Sequence, residues 1–216
     1  MPDRPELFVL AGVNGAGKSS VGGYHLQQHG LTTDDWFNPD AATRALVTAG
    51  EPQDSANSLA WTLGRDLLLH AMATRCSHAF ETTLGGTTIP GLIAQAAQTH
   101  AVRMWFCGLD SPEHHLRRVR ERVARGGHDI PEDRIRARWI SAIENLIGLM
   151  PLLSELQVYD NSRDAGADGV IPDPELVLHV RDGEVLHPDS TDALARTPEW
   201  AMAIVEAALS REPAPR

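Results

Sequence analysis

A chain of 216 residues, 42% apolar and 22% charged, is long enough to bury a core of its own and reads as one domain. Its net charge of −10 argues against a nucleic-acid partner, whose footprint is normally basic. No apolar run approaches the roughly 18 residues that span a bilayer, the start "MPDRPELFVL" carries no signal-peptide pattern, and Cys76 and Cys107 lie far apart without metal spacing, so reduced thiols and a cytoplasmic protein away from membranes are expected.

In chain order, "LFVLA" (Leu7 to Ala11) is a short apolar run closing in a glycine-rich turn, which predicts a buried strand. A helix follows from Lys18 to Gly30, and "TTDDWFNPD" predicts a weak second strand that closes in a polar turn at Asn38-Pro39-Asp40. A long helical pattern covers Ser55 to Cys76, carried by Leu59, Leu63, Leu67 and Met72. "HAFETTL" predicts a third strand, Ile89 to Thr99 a helix, and "AVRMWFCGLD" a fourth strand ending at Asp110. "SPEHHLRRVRERVARGG" predicts a helix with Pro112 in its first turn and glycines past its end. A second arginine-bearing helix runs from after Pro131 to about Met150, and "LQVYDNS" is a fifth strand. Beyond it, "LVLHVRDGEVLHP" reads as a hairpin about Asp182-Gly183, "TPEWAMAIVEAAL" as a terminal helix and "SREPAPR" as a disordered tail. The alternation predicts an α/β fold, a three-layer sandwich with a mostly parallel five-stranded central sheet, and the glycine-rich turn "GVNGAGKS" between its first strand and helix makes it of the P-loop NTPase kind. Its parts are a core over about 5–165, an arginine-rich helical span over about 112–140, and a C-terminal hairpin and helix over about 174–210.

Gly12-Val13-Asn14-Gly15-Ala16-Gly17-Lys18-Ser19 fits the phosphate-loop pattern G-x-x-x-x-G-K-S in full, with an apolar strand before it and a helix after it. Glycines let backbone amides turn inward around phosphate oxygens, and the helix N-terminus adds partial positive charge. Gly12, Asn14, Gly15, Ala16, Gly17, Lys18, Ser19 and Ser20 are therefore the expected nucleotide-binding residues, for ATP or GTP. Lys18 is expected to reach the β- and γ-phosphates and the Ser19 hydroxyl to ligate Mg²⁺. Lys18 is the one lysine among 19 basic residues, which fits a site that needs a compact point charge rather than a planar fork.

Ligands of open α/β sheets sit beyond the carboxyl ends of the strands. Here those ends read "FNPD", "FETTL", "GLD" and "YDNS", each with a carboxylate, and eight arginines gather between Arg117 and Arg138. On a helix Arg118, Arg122 and Arg125 share one face, with Leu116, Val119 and Val123 opposite, and Arg134 and Arg138 form a second pair at i, i+4. The alternative for any one of these arginines is a solvated face paired with Glu121, Glu132 and Asp133.

"AGVNGAGKSS", "FNPD", "FETTL", "RVRERVARGGHDIPEDRIRARW" and "YDNS" together resemble the zeta toxin family of P-loop kinases over roughly residues 7–165. The resemblance implies transfer of a phosphoryl group from ATP or GTP to a hydroxyl of a small sugar nucleotide such as UDP-N-acetylglucosamine, and an antitoxin as partner. Asp40 matches the general base, with Asp35 as its alternative and a helix N-cap as its structural role. Glu81 matches a substrate-holding carboxylate; Thr82, Thr83 and Asn38 are candidate substrate contacts or ordinary strand and turn residues. The arginine span over about 112–140 resembles the family's lid, and Arg122 and Arg138 are the first choices for clamping the transferring group. His128 reads as a cap or packing residue, Asp160 and Asn161 as neighbours of the nucleotide base or the lid, and Asp110 as a water-mediated Mg²⁺ ligand or a helix cap. Val13 stands where proline is common in the family, and Trp139 where tyrosine is. Two other readings share the loop: a polynucleotide-end kinase, against which the acidic charge weighs, and a nucleotide-dependent switch, which needs no base at Asp40.

Overall fold

The structure, a computed structural model, describes residues 4–30, 32, 35–127, 129–164, 166 and 172–211. His128, tail residues 212–216 and the side chain of Ser20 lie outside the described residues.

Alternate residues of β1 (Glu6–Ala11) point to opposite faces, and both faces are buried. Leu7, Val9 and Ala11 enter the larger core, Phe8 and Leu10 a smaller one. A continuous apolar run is what a strand covered on both sides requires. The chain continues through α1 (Lys18–Gln28), β2 (Trp36–Phe37), α2 (Pro39–Thr48), α3 (Gln53–Thr74), β3 (His78–Thr82), α4 (Thr88–Ala96) and β4 (Ala101–Gly108). It then forms α5 (Pro112–Ala124), α6 (Glu132–Leu149), β5 (Glu155–Asp160), β6 (Glu175–Arg181), β7 (Glu184–His187), α7 (Thr191–Ala195) and α8 (Met202–Leu209). Among the described residues one seven-stranded sheet has the order β2-β3-β1-β4-β5-β6-β7, parallel from β2 to β5. Val21 of α1 joins the smaller core, while residues of α3, α4, α6 and α8 fill the larger one, which makes three layers.

The five expected strands all form, and the hairpin extends their sheet instead of standing apart. β6 pairs antiparallel with β5 in the register Glu155↔Arg181, and β7 closes the edge. Apolar Leu178 and Val180 need cover, and pairing with β5 carries them into the larger core beside α8. The register also brings Arg181 and His179 to 2.7 and 2.8 Å from the buried Glu155 carboxylate, which Arg103 of β4 meets from the other side.

The leucines that carry the helical pattern of α3 do not face the core. Leu59 and Leu63 are each 48% exposed, whereas Ala56, Ala60, Leu68 and Ala71 are buried. Gly64 lies in that small-residue stripe, and a Cβ there would come within 2.5 Å of the Phe37 ring. Close approach to β2 demands small side chains, so the bulky ones are turned outward. The terminal helix is shorter than expected, since Glu199–Ala201 is a 3₁₀ turn ahead of α8. None of the described helices is long and apolar enough to cross a membrane.

Candidate functional site

The carboxyl ends of β1, β3, β4 and β5 meet at the loop between β1 and α1. Gly12 N–H donates to the Thr82 carbonyl at 3.2 Å, tying the end of β1 to β3, and Asn161 N–H to the Gly108 carbonyl at 3.0 Å, tying the end of β5 to β4. Gly12 has φ +145° and Gly17 φ +81°, backbone that L side chains rarely adopt. A Cβ on either would meet an atom at 2.3 Å, the Cys107 carbonyl oxygen or Asn161 Nδ2. Asn161 Nδ2 and the Cys107 thiol both donate to the Ala16 carbonyl, at 2.8 and 3.0 Å. Burial pushes that thiol up to about 12, so Cys107 is a structural donor and no nucleophile.

Lys18 opens α1 and is 8% exposed. Its Nζ donates to the Gly12 carbonyl at 2.8 Å and lies 3.2 Å from Glu81 Oε1. Glu81 Oε2 accepts from Asn38 Nδ2 at 2.9 Å, and Asn38 Oδ1 accepts from Ala41 N–H at 2.9 Å. Asn38, with both ends of its amide engaged, is therefore the N-cap of α2, the role weighed for Asp40. Asp40 is left in the first turn of α2 with its Oδ2 3.3 Å from Arg122 NH1. Asp35 sits in an exposed turn, where the Thr32 amide and hydroxyl hold its carboxyl below the usual range. Thr82 and Thr83 hydroxyl oxygens accept from the amides of Leu84 and Gly85, shaping the turn after β3.

α5 divides largely as its sequence pattern predicts, except that Val123, expected opposite the arginines, also lines their cleft. Leu116 and Val119 are buried, while Arg118, Arg122 and Arg125 line a cleft of about 1040 Å³ with Gly15, Gly17 and Asp40. Thr43, Arg44 and Gln53 also line the cleft, as do Asn161, Arg163 and Asp164 beyond β5. Arg117 pairs with Asp164 at the cleft's edge at 2.7 Å, whereas Arg120 with Glu132 at 3.4 Å and Arg136 with Glu113 at 2.6 Å are engaged outside its lining. Arg138 leaves the arginine cluster for the loop, donating to Asn14 Oδ1 at 2.8 Å. Its burial, with Arg134 nearby, lowers its pKa. Gly85 makes room for it, since a Cβ there would lie 2.5 Å from Arg138 Cγ.

Asp110 does not cap α5. Ser111 does, accepting from the His114 amide at 3.2 Å, while Asp110 receives the Ser111 hydroxyl and the His114 ring. Asp160 is held by Trp200 Nε1 at 3.2 Å and by Ser162, so it faces the C-terminal elements, whereas Asn161 lines the cleft. Among the described residues no cluster of His, Cys, Asp or Glu forms a metal cage. Mg²⁺ bound with phosphates needs only one or two protein ligands, a requirement that the exposed Ser19 beside Lys18 fits. The sequence reading missed His115, Arg44 and Gly85. Only His115 left a signal, standing three and seven residues before Arg118 and Arg122 on one helix face.

No protein-family model matches the chain, and no curated protein matches it. Solved structures do. An AvrRxo1-ORF1:AvrRxo1-ORF2 complex with sulphate ions matches with a TM-score of 0.61 at 16% identity, over 91% of this chain and 64% of that one. The complex with ATP matches with a TM-score of 0.60 at 17% identity, over 100% and 66%. The PezAT chromosomal toxin–antitoxin system of Streptococcus pneumoniae matches with a TM-score of 0.51 at 11% identity, over 81% and 72%. The chain thus spans about 64% of the first of these, and at such identities what they share with it is the fold.

Proposed function

We propose that the chain is a zeta-toxin-like phosphotransferase that moves the γ-phosphoryl group of ATP, or GTP, to a hydroxyl of a small sugar nucleotide such as UDP-N-acetylglucosamine. The observation that carries the reading is that the Asp40 carboxylate opens onto the same cleft as the phosphate loop, 3.3 Å from an arginine of α5. A switch that only binds nucleotide has no use for a carboxylate at that place.

In this reading the amides of residues 12–18 and Lys18 hold the donor's phosphates. The acceptor hydroxyl gives its proton to Asp40 as its oxygen bonds to the γ-phosphorus and the bond to the bridging oxygen breaks, releasing the nucleoside diphosphate. Arg122 and Arg118 face the equatorial oxygens and offset charge that builds there. Mg²⁺, ligated by Ser19, would neutralise charge on the β- and γ-phosphates. Glu81 keeps Lys18 in place, and Asn38 keeps Glu81. An anionic acceptor is supported by Arg44 and Arg125, which line the cleft and have no side-chain partner among the described residues. The partnered state of the similar solved structures supports an antitoxin-type protein partner.

The test is transfer of labelled γ-phosphate with Mg²⁺ to a panel of sugar nucleotides, NAD, free sugars and short RNA ends. Label should pass to a sugar nucleotide, and Asp40→Asn should keep ATP affinity while losing about 10²- to 10⁴-fold in transfer. ATP binding without transfer to any acceptor would instead favour the switch, and label on RNA ends the polynucleotide kinase.

A further inference from the structure

His115 is a buried titratable group that the proposed transfer does not use. It lies on α5 three and seven residues ahead of Arg118 and Arg122 and opens the face that carries them. Its side chain is 1% exposed, and its Nδ1 is 2.9 Å from the Asn14 carbonyl oxygen in the phosphate loop. A carbonyl only accepts, so the proton sits on Nδ1, and Nε2 has no hydrogen-bond partner among the described residues. Burial keeps the ring neutral by lowering its pKa to about 4, the bond to Asn14 opposing and Lys18, His114 and Arg118 adding to the shift.

Asn14 is gripped from two directions. His115 of α5 takes its backbone carbonyl, and Arg138 of α6 takes its side-chain oxygen. Gly15, the next residue, brings α5 against the loop itself, because a Cβ there would lie 2.9 Å from the His115 carbonyl oxygen. Both arginine-bearing helices are thus fastened to one residue of the phosphate loop. A shift of that peptide would move the loop amides and the α5 arginines together.

We propose that His115 is a positioning residue for phosphoryl transfer. Its Nδ1–H fixes the Asn14 peptide so that the loop amides converge on the phosphates, and its place on α5 sets Arg118 and Arg122 in register over them. The inference rests on the phosphotransfer reading above. Misplacing such a group by about an ångström costs on the order of 10²-fold in rate.

Two nearly isosteric variants separate the hydrogen bond from packing. His115→Asn keeps a donor where Nδ1 stood; His115→Leu fills the space without one. ATP affinity by calorimetry and γ-phosphate turnover should both fall roughly 10- to 100-fold in His115→Leu and recover to within about threefold of wild type in His115→Asn. Equal behaviour of the two variants would overturn the inference. Imidazole ¹⁵N NMR on the unmutated protein tests it without any substitution: an Nδ1–H tautomer whose signal moves when ATP is added is expected. An Nε2–H tautomer, or a signal indifferent to ATP in a protein that binds it, would overturn it. Wild-type protein that neither binds nor turns over ATP would bring down the phosphotransfer reading itself, a different failure from an active wild type with an unaffected His115→Leu.

Discussion

Lys18 and Glu81 form an ion pair at 3.2 Å with side chains 8% and 10% exposed. At such burial the loss of one partner matters more than the worth of the pair, because the other charge is left dry. Glu81→Leu should therefore destabilise by about 3–5 kcal/mol, and it also removes the acceptor of the Asn38 amide. Adding Lys18→Met leaves no charge to solvate and should recover most of that loss. Urea unfolding of the four proteins closes the cycle, and strictly additive losses would refute the coupling. The sequence singled out Lys18, because the pattern that contains it is eight consecutive residues whose conformation is local. It did not announce the Lys18–Glu81 pair, which exists only because β3 lies beside β1 in the sheet. His115 escaped for a related reason: its partner Asn14 is distant in the chain, and only packing of α5 on the loop brings them together.

Among the elements, α5 and α3 show opposite cases of periodicity. In α5 the two faces differ in chemistry, apolar against arginine, and the structure keeps that division for Leu116 and Val119 but lets Val123 into the cleft lining. In α3 both candidate faces are apolar, one leucine-rich and the other alanine-rich, and periodicity could not choose between them. The deciding constraint is the distance to β2, where the Phe37 ring lies against Gly64. The two stripes should respond oppositely to substitution. Leu59→Gln with Leu63→Gln should change stability by no more than about 0.5 kcal/mol each, as exposed sites do. Gly64→Val should cost about 1–3 kcal/mol or more by overpacking against the ring. Chemical denaturation of the two variants decides the matter, and a larger loss for the leucine pair would reverse the assignment. Val13 and Trp139, the two departures from the zeta toxin pattern, line one small void with His115 and Trp200.

At the scale of the whole molecule, the sheet concentrates neutral histidines against apolar surface, and this sets its response to acid. His25 lies flat against Trp105, ring centroids 5.1 Å apart, and burial, with His29 and His179 nearby, lowers its pKa to about 4 despite Glu155. His115 reaches a similar value beneath the loop, and burial moves His78 in the same direction. Each of these groups takes up its proton more readily unfolded than folded, so the unfolded chain binds more protons below about pH 6.5 and stability falls as pH drops through the window down to about 4. The slope is about 1.4 kcal/mol per pH unit for each histidine, or roughly 4 kcal/mol lost by about pH 5 from the two together. For a domain of this size that corresponds to a fall in Tm of about 10 °C. Glu155 acts elsewhere: burial opposes its ionisation, but the bonds from Arg181, His179 and Arg103 outweigh it and hold the carboxyl at about 2. Its contribution is intact above the usual carboxylate range and is lost only as pH falls from there towards 2. Thermal unfolding at about pH 7, 6 and 5 should show the loss already under way between the first two points. In a His25→Gln, His115→Asn double variant the slope should flatten, because neither replacement titrates. A wild-type Tm that stays level to about pH 5 and falls only below it would assign the acid response to carboxylates and remove the histidines from the account.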